Sequence, residues 1–120
     1  MSSKSLLLLM RHAPYAGARA TEALEAALVG AVFDMPTSLL FRDDGVWQLL
    51  PAQSADPLGV RTHSNLVSAL PQYDITNLYA CTDSLASRGL SAEQLAGDVQ
   101  LVSPAEQQAL LAAHQVVLND

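Results

Sequence analysis

A single cysteine, Cys81, stands in this chain of 120 residues, so no disulfide can close within it and a disulfide-stapled scaffold is excluded. Basic residues are also scarce. Lys4, Arg11, Arg19, Arg42, Arg61 and Arg88 face twelve acidic residues, which leaves a net charge of -6. Direct, tight binding to nucleic acid needs Lys and Arg to neutralise phosphates, and six scattered cations make no such surface. Aromatic residues are 5% of the chain, too few to stack bases. The longest apolar run, Leu6 to Met10, falls far short of the roughly 20 residues that cross a bilayer. With no basic n-region and signal-like apolar stretch at the amino terminus, the expected compartment is the cytoplasm. Glycine forms neither a G-x-G-x-x-G nor a Walker pattern, which removes the usual nucleotide signatures. His12, His63, His114 and Cys81 lack metal-ligand spacing, so neither a metal nor a cofactor is expected.

What is present is apolar material in short, regular blocks. Half the residues are hydrophobic, enough for one core and too little length for two, so residues 1–120 are expected to form one domain. Ser5 to Met10 reads as a first strand. Gly17 to Phe33 carries Ala20, Ala23, Leu24, Ala27, Leu28, Ala31 and Val32 on one helical stripe, and Met35-Pro36 ends it. Thr37 to Phe41 reads as a second strand, Asp43-Asp-Gly45 as a turn, and Val46 to Gly59 as a loop around an exposed or interface-facing Trp47 to Leu50. Asn65 to Leu70 is a short helix before Pro71.

Ile75 to Ala80 is a third strand that runs into Cys81 and a helix over Thr82 to Arg88, with Gly89 suited to the left-handed position beyond it. A short helical piece over Ala92 to Ala96 precedes a fourth strand, Val99 to Val102. Ser103-Pro-Ala-Glu106 combines a capping box with proline at the first helical position. That helix runs to about His114, and Gln115 to Leu118 is a fifth strand. Alternation of this kind specifies an α/β fold, a mainly parallel five-stranded sheet with helices on both faces. The natural strand order for five strands is the flavodoxin-like 2-1-3-4-5.

Cys81 then falls at the carboxyl end of a parallel strand, where α/β sheets place their ligands. The first turn of a helix offers free N–H groups and a positive dipole end, both favouring thiolate, while the negative charge of Asp83 works the other way. A buried lone cysteine that only packs is the alternative. If strands one and three are neighbours, the loop Arg11-His12-Ala13 lies beside Cys81, and His12 becomes a base or charge partner for the thiol; a solvated loop histidine is the other reading.

Ala13-Pro-Tyr15, the Arg19 to Leu28 helix, Phe41 to Gln53 with its Asp44-Gly-Val-Trp-Gln-Leu-Leu50, Tyr73-Asp-Ile75 and Cys81-Thr-Asp-Ser-Leu-Ala-Ser-Arg-Gly-Leu90 together resemble the DsrE/DsrF-like sulfur-relay family, in its TusC/DsrF group. The resemblance spans essentially the whole chain. It implies a flavodoxin-like, DsrE/DsrF-like fold and a subunit of a heterohexamer with TusB-like and TusD-like partners. In one branch such a complex takes persulfide sulfur from a TusA-type donor and passes it through a TusE-type acceptor toward 2-thiouridine at the tRNA wobble position. In the DsrEFH branch it serves sulfur oxidation. The recognised acceptor is a cysteine of the TusD-type subunit, and Cys81 matches its position by the distance to Arg88-Gly89. Cys81 is accordingly either a persulfide-carrying sulfurtransferase centre or a packing residue in a non-catalytic subunit. Two departures accompany the resemblance: the Leu118-Asn-Asp end is less apolar than in relatives, and Arg11-His12 replaces a small, hydroxyl-bearing first loop.

Overall fold

The computed structural model describes residues 5–13, 19–32, 36–50, 69–73, 75, 77–95, 99–114 and 116–119. Strands β1 (Leu6–Met10), β2 (Thr37–Phe41), β3 (Asn77–Cys81), β4 (Val99–Val102) and β5 (Val116–Asn119) alternate with helices α1 (Arg19–Val32), α2 (Thr82–Ser87) and α3 (Pro104–Ala113). Among the described residues, three short 3-10 helices, Asp43–Leu49, Leu70–Tyr73 and Ala92–Gln94, sit in the connections. Every strand pairing is parallel, so all carboxyl ends line up on one edge.

The strand order is β4-β3-β2-β1-β5, which corrects the expected 2-1-3-4-5. Burial explains the difference. All five residues of β2 are buried, as are all five of β1, and strands hidden on both faces belong inside a parallel sheet. The expected order would have put β2 on an edge. Instead the edges are β4 and β5, where Gln100, Leu101, Val117, Leu118 and Asn119 are exposed, and a short, part-exposed strand is tolerated at an edge.

Period-two alternation divides the core between the two faces. Leu6, Leu8, Met10, Leu39, Phe41, Leu78 and Ala80 pack against Ala23, Leu24 and Ala27 of α1, Leu85 of α2, and Val46 and Leu49. Leu7, Leu9, Leu40 and Val102 pack on the other face against Tyr79 and against Leu110 and Leu111 of α3. Right-handed crossovers require this split: β1 to β2 and β4 to β5 run in opposite directions across the sheet, so their helices lie on opposite faces. His114 fixes the end of α3. Its Nδ1–H donates to the Leu110 carbonyl at 2.7 Å, and its Nε2 shares a hydrogen bond with Ser38 Oγ at 3.2 Å.

Local signals account for the helix ends. Ser103 Oγ accepts from the Glu106 N–H at 3.2 Å while Glu106 Oε1 accepts from the Ser103 N–H at 2.8 Å, a closed capping box. After α2, Gly89 takes a φ of 68°. The Gly89 and Leu90 N–H groups donate to the Ala86 and Leu85 carbonyls, the two bonds of a Schellman motif. Residues 46–49, expected in a loop, are part of a 3-10 helix with Val46, Gln48 and Leu49 buried and Trp47 half-buried; its apolar residues find cover against the sheet end, which composition alone did not reveal. The expected helix over 65–70 lies almost wholly outside the described residues, and Leu70–Tyr73 is a 3-10 helix that contains Pro71 instead of stopping before it.

The 3-10 helix after β2 is seated on β1. Arg42 N–H donates to the Met10 carbonyl at 3.1 Å, buried Gln48 donates from Nε2 to the His12 carbonyl at 2.7 Å, and a Cβ on Gly45 would overlap the Met10 carbonyl. Gly45→Ala should therefore destabilise the chain by roughly 1–3 kcal/mol, the usual range for forced overpacking, read as a lower urea midpoint. Ser103→Ala removes one cap bond and should cost about 1 kcal/mol by the same measurement.

Candidate functional site

The carboxyl edge of the sheet gathers Arg11 and His12 after β1, Arg42 to Asp44 after β2, Cys81 at the end of β3 and Ser103 after β4. Cys81 is both the last residue of β3 and the N-cap of α2, with extended backbone (φ -72°, ψ 123°). It pairs with Val102 across the β3–β4 ladder, and strand alternation turns it to the same face as Tyr79 and Val102, the face that α3 covers.

The thiol is 6% exposed. Burial by itself raises its pKa, yet the net shift is downward, because hydrogen bonds from the Ser84 hydroxyl, the Gln107 side-chain amide, and the Ser84 and Asp83 backbone N–H groups favour the thiolate. The amides act on the sulfur from the first turn of α2 without closing a side-chain cap bond. Asp83 therefore contributes its N–H to the thiolate, while its carboxylate is exposed and accepts from Thr82 Oγ1 at a long 3.5 Å.

Ser84 is held in place by the neighbouring connection. Asp43 adopts a left-handed φ of 53°, which Asp tolerates better than most residues, and its N–H donates to Ser84 Oγ at 2.9 Å. Two exposed ion pairs flank this contact: Arg11 Nε with Asp43 Oδ2 at 3.1 Å, and Arg88 with Asp44 Oδ1 at 3.0 Å. Exposed pairs of this kind contribute up to about 1 kcal/mol each, so they trim the geometry more than they hold it. The two aspartates are thus turn residues, as their sequence context indicates. Gln107, 4% exposed, reaches in from α3 and donates from Nε2 to the Val102 carbonyl at 3.3 Å.

His12 is placed differently from expectation. Because β2 lies between β1 and β3, the strands carrying His12 and Cys81 are two spacings apart, about 10 Å of backbone. The expected adjacency of strands one and three is corrected accordingly. His12 is half-buried and its carbonyl accepts from Gln48. Sequence reading found Cys81 and passed over Ser84 and Gln107. The Cys-x-x-Ser spacing across a helix start was legible as an N-cap and N3 pair; Gln107 was not, because its role depends on β4 pairing with β3. Among the described residues no group of three or more His, Cys, Asp or Glu side chains is placed to hold a metal ion, and no helix is long and apolar enough to cross a membrane.

A family model for the DsrE/DsrF-like family matches residues 4–119. The chain belongs to the DsrE/DsrF-like family. Relatives within it include a TusC homolog from Pseudomonas aeruginosa, 38% identical over 98% of both chains. The intracellular sulfur oxidation protein DsrF of Allochromatium vinosum is 40% identical over 77% of this chain and 68% of its own. A TusC homolog from Vibrio vulnificus is 32% identical over 88% of this chain and 90% of its own. Among solved structures, the YchN protein of E. coli superposes with a TM-score of 0.79 over 98% of this chain and 99% of that one, at 17% identity, so the DsrE/DsrF-like chain shares its fold.

Burial and ionisation make opposite predictions for reagents of different size. A bulky aromatic disulfide such as Ellman's reagent should modify native Cys81 severalfold more slowly than the same chain unfolded in urea, because the sulfur is covered. A native rate equal to the unfolded rate would contradict the burial.

Proposed function

We propose that this chain is a TusC-like subunit of a cytoplasmic sulfur-relay complex, in which protein-bound persulfide sulfur moves between thiols toward 2-thiouridine formation at the tRNA wobble position. The observation that carries the reading is the place of the buried Cys81, which is both the last residue of β3 and the N-cap of α2 at the carboxyl edge of a parallel sheet. Its surroundings lower the thiol pKa, and a thiolate is the nucleophile of sulfur transfer. The similarity to TusC homologs over nearly the whole chain supports the relay. The acidic balance supports partners that are proteins, with the tRNA met by other members of the pathway.

The chemistry is thiol exchange. Cys81 thiolate attacks the terminal sulfur of a TusA-type donor persulfide, R–S–SH; the donor S–S bond breaks, R–S⁻ departs, and Cys81–S–SH forms with the proton still on the terminal sulfur. No oxidant or reductant enters. TusB-like and TusD-like subunits supply the rest of the complex, and a TusE-type thiolate takes the sulfur onward. The strand that carries His12 is two spacings from that of Cys81, and His12 enters this reading only as a group on the same edge.

The relative from Allochromatium vinosum, named as an intracellular sulfur oxidation protein, favours a second reading: a DsrF-like subunit whose complex carries sulfur toward oxidation by the same exchange step.

Intact mass tests the reading. The chain, alone and with its TusB-like and TusD-like partners, is incubated with a persulfidated TusA-type donor. The expected result is a gain of one sulfur on this subunit that disappears in Cys81→Ser. No gain here while the TusD-like partner is loaded would make the chain a scaffold and Cys81 a packing residue.

A further inference from the structure

Two adjacent residues at the exit of β2 hold the two ends of α2. At its start, the Asp43 N–H donates to Ser84 Oγ at 2.9 Å. At its end, Arg88 donates from Nε and Nη2 to Asp44 Oδ1 at 3.2 and 3.0 Å. The same guanidinium turns back on the helix, where its Nη1 donates to the Ser84 carbonyl at 3.1 Å and to Ser87 Oγ at 2.9 Å. Arg88 thus ties the body of α2 to a residue outside it.

The two sides of this clasp differ in how firmly they are fixed. The Asp43–Leu49 3-10 helix is held by the seat of Gly45 on the Met10 carbonyl and by buried Val46, Gln48 and Leu49. Helix α2 has six residues, far fewer than the roughly 12 to 15 that a helix needs to persist alone, and it places one apolar side chain, Leu85, in the core. Segments with so few buried contacts open first in a native chain. Cys81 belongs to both β3 and the start of α2. Strand β3 is locked between β2 and β4, and α3, which covers the face of the thiol, is ten residues long with a closed capping box. Of the elements around Cys81, α2 is therefore the one that gives way.

We propose that α2 is a gate to Cys81, latched by the Asp44–Arg88 pair, and that a donor persulfide reaches the covered sulfur through its opening. This adds control of access to the relay reading and rests on that reading for the identity of the donor. The latch lies at the carboxyl edge, with the Arg88 side chain 24% and that of Asp44 63% exposed, so it is within reach of salt and of a docking partner, whereas Leu85 is not.

The test is the rate at which native Cys81 reacts with dithiodipyridine, an uncharged aromatic disulfide, together with amide exchange along α2 in the full chain. Arg88→Ala and Asp44→Ala are each expected to raise the Cys81 rate and to speed α2 exchange by roughly two- to fivefold, the range open to an exposed ion pair, with β3 exchange unchanged. The double variant should gain nothing beyond Arg88→Ala, since both changes remove one shared interaction. In the unmutated chain, salt should speed the reaction by screening the pair, and the acceleration should be smaller in Arg88→Ala. Ser103→Ala, which loosens α3 at its cap, should leave the Cys81 rate where it was. Rates unmoved in both latch variants overturn the proposal, as does a reaction of the unmutated chain that is indifferent to salt, a measurement that stands even where a variant does not fold. An acceleration in Ser103→Ala equal to that in Arg88→Ala overturns it too, by making α3 the cover that moves. Rates that respond as expected in a chain that gains no sulfur from the donor uphold the gate and remove the carrier reading.

Discussion

The seat of Gly45 on the Met10 carbonyl is the contact on which the geometry of the carboxyl edge depends. No side chain fits between the two backbones, and the adjacent Arg42 N–H donates to the same carbonyl. The chain leaving β2 must therefore turn at once across the end of β1, and Asp43 takes a left-handed conformation in doing so. That turn aims the Asp43 N–H at Ser84. A backbone constraint at the end of β1 thus reaches the helix that Cys81 begins through one hydrogen bond, with buried Val46 and Leu49 anchoring the 3-10 helix to the core.

At Cys81 two opposed effects meet. Removing a thiolate from water costs free energy, and a cysteine buried to 6% exposure would ordinarily remain protonated. The donors reverse this, and they are dipoles of fixed direction in place of a free cation. The arrangement suits a sulfur that must be nucleophilic when loaded and a good leaving group when unloaded, because both demands fall on the same anionic state. It also keeps the thiol covered, which limits adventitious oxidation to reagents small enough to reach it.

Much of the fold was legible in the sequence where local physics decides the outcome. The Ser103-Pro104-Glu106 start, the Gly89 stop and the strands over Leu6 to Met10 and Thr37 to Phe41 rest on caps, backbone conformation and apolar content, and each appears in the structure. Strand order was not legible from the connections; β2, with Thr37 and Ser38 ahead of its apolar residues, reveals its interior place only through the burial of all five residues in the structure. The site divided along the same line. Cys81 and its helix start are local features. The meeting of Gln107 with Cys81 depends on which strands are neighbours, and the expected closeness of His12 failed for the same reason. The TusC/DsrF resemblance drew on the residues of the β2 exit and the Cys81 segment, the two stretches that the structure joins through Asp43 and Ser84.

The most direct measurement of the central claim, that the fold holds Cys81 toward thiolate despite its burial, is the ¹³Cβ chemical shift of Cys81 followed through a pH titration. The folded chain is compared with the same chain unfolded in urea. The shift should report thiolate at lower pH in the folded chain than in the unfolded one, since the folded pKa is lowered. A folded titration at the unfolded pH or above it would show that burial outweighs the donors and would contradict the account.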